Sequence, residues 1–153
     1  MNILGASADG VISAVETSMK RLRPILLKDG IKNDTGFFAL RCTMLGELIL
    51  LARIGIMPPN KYEKYLAFSL EKGLRLFAHL PQHKSSWQSR DNVKFWGGAI
   101  VSKSLILSFS GLPELADEAL MLDASVGLGW LSPGEANEIV NISANNYYPR
   151  VNS

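Results

Sequence analysis

Two histidines, His79 and His83, stand four residues apart in the stretch HLPQHKSSWQSRDNVKFW. On a continuous helix that spacing would put both imidazoles on one face, as a zinc site needs. Pro81 lies between them, however, and neither an acid nor a cysteine adjoins the pair. No metal and no other cofactor is expected here. Cys42, the single cysteine, falls inside an apolar run, where a thiol packs as a small hydrophobe rather than acting as a nucleophile. Glu114, Asp117 and Glu118 gather at the expected start of a helix, where the macrodipole favours negative charge, so they read as helix-start chemistry and not as an acid/base pair. There is no phosphate-binding glycine loop, nucleophile elbow or HExxH motif. The chain is therefore expected not to be an enzyme, with no catalytic residues. The enzymatic alternative is a scattered site around Arg41, with Glu47, His79 and His83 as participants.

The residues that remain are suited to recognition. Phe68 falls among Lys64, Lys72, Arg75 and His79 on what periodicity marks as the polar face of a helix. That face runs into a connector carrying His83, Lys84, Trp87, Arg90 and Lys94. An aromatic ringed by cations makes a contact hot spot for a carboxylate- or phosphate-bearing partner. These ten residues form the expected partner-binding patch. The function expected is a non-enzymatic protein-binding module that masks or bridges a partner with an acidic surface. Small inhibitor, immunity or adaptor proteins of phage or plasmid origin are alike in size, a fold-level analogy. The second reading is a nucleic-acid-binding accessory protein that uses the same cations on phosphates and Trp87 on a base.

The elements that hold these residues read as helical throughout, so the fold class expected is all-α, a compact bundle of about six helices. Val11, Ile12, Val15, Met19, Leu22, Ile25 and Leu26 share one face of a first helix between Asp9 and Gly30. A second is expected from Asp34 or Thr35 to Ile54, with Arg41 in the middle of its apolar arc, where the guanidinium needs a partner. The break Met57-Pro58-Pro59-Asn60 opens a third, to about His79, with Tyr62, Tyr65, Leu66, Leu70, Leu74, Leu76 and Phe77 as its apolar face. A fourth, apolar almost all round, is expected from Asp91 or Asn92 to about Gly111, interrupted by Lys103. Its excess of apolar surface makes a homodimer possible. Pro113 starts a fifth, to about Ser125, and Ser132-Pro133-Gly134-Glu135 is a capping box for a sixth, to about Asn145.

One domain over 1–153 is expected, with possible halves 1–79 and 91–149 echoed in Gly55-Ile56-Met57-Pro58-Pro59 and Gly129-Trp130-Leu131-Ser132-Pro133. The longest apolar run, Phe37 to Met57, carries Arg41, Glu47 and Arg53, each costly in a bilayer, so no membrane span is expected. The lone cysteine and a start, MNILGASADG, without a basic and apolar leader pattern fit a cytoplasmic location. The net charge of +2 hides a segregation. Residues 1–109 hold 15 of the 16 Lys and Arg with 8 acids, while residues 110–149 hold 6 acids and no Lys or Arg. Either the acidic segment packs on the basic part and neutralises it, or the folded protein keeps a basic face for a partner.

Overall fold

In a computed structural model describing residues 1–152, the chain folds as α+β, which corrects the all-α, six-helix expectation. Its helices are α1 (Ala8–Lys28), α2 (Tyr62–Ala78), α3 (Glu114–Gly127), α4 (Pro133–Ser143) and the short α5 (Tyr148–Val151). Between them run the strands β1 (Gly36–Cys42), β2 (Leu48–Ile54), β3 (Ala99–Ser102) and β4 (Leu105–Ser110). The strands form one antiparallel sheet in the order β2-β1-β4-β3.

The two expected helices that are absent, over 34–54 and 91–111, are the two β-hairpins. The strand-forming parts of both segments are mostly apolar, and such runs fit a buried strand as well as a buried helix. β1 and β4 lie at the centre of the sheet with helices on both faces, which removes the polar alternation that marks a half-exposed strand. The turns decide between the two readings. Thr43 to Gly46 reverses the chain between β1 and β2, with Gly46 at φ 71°, and Lys103, at φ 55°, turns β3 into β4. Lys103 is thus a hairpin residue and not the polar interruption of a helix.

The sheet separates two layers of helix. Phe38, Leu40, Ile100, Leu105, Leu107 and Phe109 point from one face into the main core. There they meet Val11, Val15, Met19, Leu22 and Leu26 of α1 and Ala119, Leu120 and Met121 of α3. Each of these large side chains contributes roughly 1.5–3 kcal/mol by leaving water. The other face carries α2 and a smaller cluster of Leu76, Ala99 and Ile106 with Phe77, Leu80 and Val101 around it.

The helical period of α2 was legible, but the buried face is rotated from the expected one. Ser69, Lys72, Gly73 and Leu76 turn to the sheet, while Leu74 is exposed. Small and polar groups make that approach close. Ser108 Oγ donates to Ser69 O at 2.6 Å, and a Cβ on Gly73 would stand 3.4 Å from the Arg41 side chain.

Pairing of β1 with β4 joins the first and second halves of the chain in one sheet, which replaces the idea of two three-helix units linked at 80–91. The Gly55 and Gly129 echoes lie in different settings, one between β2 and α2, the other between α3 and α4. At the start of α4 the expected capping box is present: Ser132 Oγ accepts from Glu135 N, and Glu135 returns the contact to Ser132 N. No helix among the described residues is long and apolar enough to cross a membrane.

Candidate functional site

The connector between α2 and β3 is a built structure. Arg75, on α2, has its side chain 8% exposed and pairs with Glu71 at 2.8 Å. It donates to the carbonyls of Ser86 at 2.9 Å and Trp96 at 2.6 Å and to Ser89 Oγ, tying both ends of the connector to the helix. Ser85 and Gln88 form a capping box on a 3₁₀ turn, Ser86–Ser89. Asp91 accepts the backbone N–H groups of Phe95, Val93 and Lys94, which push its carboxyl down to about 2. Such charge-assisted bonds are roughly twice as strong as neutral ones.

Held this way, the connector walls a cleft of about 940 Å³ with the start of α2, the start of α3, and the loops before β1 and α5. Tyr65, Phe68, Trp87, Trp96 and Tyr147 line it. Trp87 is fixed from behind by Arg90, whose guanidinium lies 4.1 Å from the ring centroid and whose Nε donates to Glu114 Oε1 at 2.8 Å. Gly97 N donates to the same carboxylate oxygen at 2.8 Å. Burial alone would raise Glu114, but Arg90 and the Gly97 N–H together outweigh it and hold the carboxyl below its ordinary range.

Lys72 and Asp117 also line the cleft, both side chains only 2% exposed. Lys72 Nζ donates to Asp117 Oδ2 at 2.9 Å and to Phe109 O at 2.8 Å, which leaves one ammonium N–H over. Asp117 Oδ1 accepts from Leu112 N at 3.0 Å. Desolvation nonetheless pushes Asp117 up to about 7, against the opposing pull of Lys72. The ammonium reaches Asp117 only because Gly98, at φ 123°, has no side chain: a Cβ there would stand 2.8 Å from Lys72 Nζ and from Asp117 Cβ.

The next residue of α3, Glu118, ties the connector to the C-terminal helices. Its carboxylate accepts from Ser85 Oγ at 2.5 Å, from Asn145 Nδ2 at 3.0 Å and from Ser143 Oγ. Burial raises Glu118, with these three donors pulling the other way.

The ten residues of the expected patch are thereby divided. Lys64, Phe68, Lys72 and Trp87 line the cleft, with Arg90 and Arg75 anchoring its wall. Phe68 and Trp87 are partly exposed, neither sealed in the core nor free on a surface. His79 and His83 stack with ring centroids 4.6 Å apart. Burial, then His79 and Arg75, hold the His83 imidazole below its ordinary range. Lys84 pairs with Glu138 at 2.8 Å, and Lys94 lies exposed beside the Phe95 ring. Arg41 is on β1 and donates to Gly46 O at 2.9 Å; its Nε has no partner among the described residues. Glu47 is exposed at the entry to β2.

The chain matches no protein-family model, no curated protein and no solved structure.

The sequence marks Asp117 and Glu118 only as helix-start acids and gives Trp96 and Tyr147 no role. A usable signal was present. The segment LADEALMLDAS has apolar residues on every side, so its carboxylates have to be buried and each has to find a donor. The segregated charge resolves in the same way: Arg21–Asp123, Lys72–Asp117, Lys84–Glu138 and Arg90–Glu114 join the basic part to the acidic segment.

Proposed function

We propose that this protein is a non-enzymatic binder of a small, largely apolar ligand, with a planar aromatic body and one anionic or hydrogen-bond-accepting end. The observation that carries this reading is the convergence of Tyr65, Phe68, Trp87, Trp96 and Tyr147 around a cleft of about 940 Å³ with Lys72 and Asp117 in its lining. Small-molecule sites have that character, mostly apolar with a few placed polar groups, and volumes of about 300–1,000 Å³. Within the lining, Asp117 balances Lys72 and Arg90 balances Glu114. Lys64 is exposed at the cleft and has no carboxylate partner among the described residues, so a single negative charge on the ligand complements the site. Aromatic faces supply stacking area at little entropic cost.

The geometry favours a small molecule over an acidic protein or a nucleic acid. Lys72, Arg75, Lys84 and Arg90 are engaged within the chain, so the cations that would hold an extended acidic surface or a phosphate backbone are largely spent. On the sequence evidence of a lone thiol, we assign the binder to the cytoplasm.

The test is titration with anilinonaphthalene sulfonate, an aromatic monoanion, followed by its own fluorescence. Saturable one-to-one binding is expected, weakened roughly tenfold by Phe68→Ala, since a buried aromatic contact is worth more than about 1 kcal/mol. Folded Phe68→Ala and Trp87→Ala variants that bind the dye like wild type would overturn the reading.

A further inference from the structure

Among the side chains that line the cleft, Lys72 is a buried cation with a donor to spare. Its Nζ donates to Asp117 Oδ2 at 2.9 Å and to Phe109 O at 2.8 Å, and the remaining N–H has no acceptor among the described residues. A charged donor left over in a site shielded from water favours whatever supplies an acceptor. Lys64, by contrast, is exposed at the cleft. It draws an anion toward the opening, while Lys72 offers that anion a fixed contact.

An anion that accepts from Lys72 Nζ stands within about 5 Å of Asp117 Oδ2, because both accept from one nitrogen at ordinary hydrogen-bond lengths. Like charges that close in a buried site do not both stay ionised. Asp117 and Glu114 both line the cleft, and their partners decide which takes a proton. Burial works on Glu114, but Arg90 and the Gly97 N–H outweigh it and hold that carboxyl ionised. Asp117 has Lys72 and Leu112 N, yet burial pushes it up to about 7, and the charge of Glu114 adds to the rise. Glu118, the next residue, is engaged with Ser85, Ser143 and Asn145. The other titratable groups of the lining are Lys64, Tyr65 and Tyr147, and the strand side presents Phe109 O and Gly98. The proton therefore goes to Asp117.

We propose that the anionic end of the ligand rests on Lys72 and enters together with a proton that Asp117 takes up, so that the cleft binds an aromatic acid as anion plus proton. This deepens the small-molecule reading above and rests on it. One anion and one proton leave the buried Lys72–Asp117 pair at the net charge it has when empty. The binding form has Asp117 protonated, so affinity is full below about 7 and falls as pH rises through that value.

Anilinonaphthalene sulfonate tests this directly, because its sulfonate does not titrate in the range concerned. For wild type, binding should weaken roughly tenfold from about pH 6 to about pH 8, the ratio of the protonated fractions of Asp117. Calorimetric titration near pH 8 in two buffers of different ionisation enthalpy should count close to one proton taken up per dye, a measurement that needs no variant. Asp117→Asn should bind equally at both pH values and take up no proton. Phe68→Ala should weaken the dye at both pH values and leave their ratio in place. Phe68-dependent binding of equal strength at both pH values, with no proton uptake, overturns the proposal and spares the reading beneath it. A pH dependence that survives Asp117→Asn overturns it as well, by moving the titration elsewhere, to the His79–His83 pair. A dye that binds at neither pH removes the proposal and the reading together.

Discussion

Removing the ammonium of Lys72 should destabilise the fold by an amount that grows with pH. Lys72→Met keeps the apolar stem and deletes the donor to Asp117 Oδ2 and Phe109 O. In wild type, burial holds the Asp117 carboxyl up near about 7. At about pH 5 it is protonated in both proteins, so the variant loses only the hydrogen bonds of the ammonium, about 1–2 kcal/mol. Near pH 8 wild type gains from ionising Asp117 beside Lys72, by roughly 1 kcal/mol. The variant gains nothing, because its carboxyl has lost the cation that favours the charged form. The expected cost is therefore about 2–3 kcal/mol near pH 8, reaching the lower end of the range of about 3–5 kcal/mol for breaking a buried pair.

The sign for Asp117 itself runs the other way. Its folded pKa lies above the unfolded 3.8, so the native state binds the extra proton between the two values. Its contribution is fully present below the unfolded value and is lost as pH rises through about 7. Urea unfolding of wild type, Lys72→Met and Asp117→Asn at about pH 5 and about pH 8, followed by tryptophan fluorescence, separates these effects. A Lys72→Met cost that is the same at both pH values, or larger at the acid one, would refute the reasoning.

Three further outcomes follow from the same geometry. Glu118→Ala leaves Ser85, Ser143 and Asn145 without their shared acceptor, and thermal unfolding should register a loss of roughly 3 kcal/mol or more. Arg75→Ala frees the connector from α2, so trypsin should cut after Lys84, Arg90 or Lys94 far faster than in wild type, with the rest of the chain still folded. Gly98→Ala drives a Cβ against Lys72 Nζ and Asp117 at 2.8 Å. It should cost roughly 2–4 kcal/mol in urea unfolding and abolish dye binding at the cleft.

The contrast between what was legible and what was not has a physical basis. Helices α1, α2, α3 and α4 carry their signals locally: Asp9 and Ser132 in the first-turn chemistry, proline breaks at Pro58 and Pro113, and a period of apolar residues. The strands carry no such signal, because β1 and β4 owe their apolar character to burial on both faces, a property of the assembled sheet. Once 34–54 and 91–111 are hairpins, Arg41 leaves its supposed helix and α2 turns Lys72 to the sheet, which no helical projection anticipates. For the cleft, the aromatic and cationic types were legible at Phe68 and Trp87, and their acidic partners were not. Lys72 meets Asp117, and Arg90 meets Glu114, across separations that only the folded topology closes.

The cleft holds two of the three tryptophans, Trp87 and Trp96, while Trp130 is buried in the main core with its indole N–H on Leu4 O. The indole resonances in a proton–nitrogen correlation spectrum therefore report on the cleft and on the core separately. On addition of an aromatic carboxylate or sulfonate, the Trp87 and Trp96 signals are expected to shift and saturate together while that of Trp130 stays in place. Unmoved Trp87 and Trp96 signals at a saturating concentration of dye, or a shift confined to Trp130, would contradict binding at the cleft.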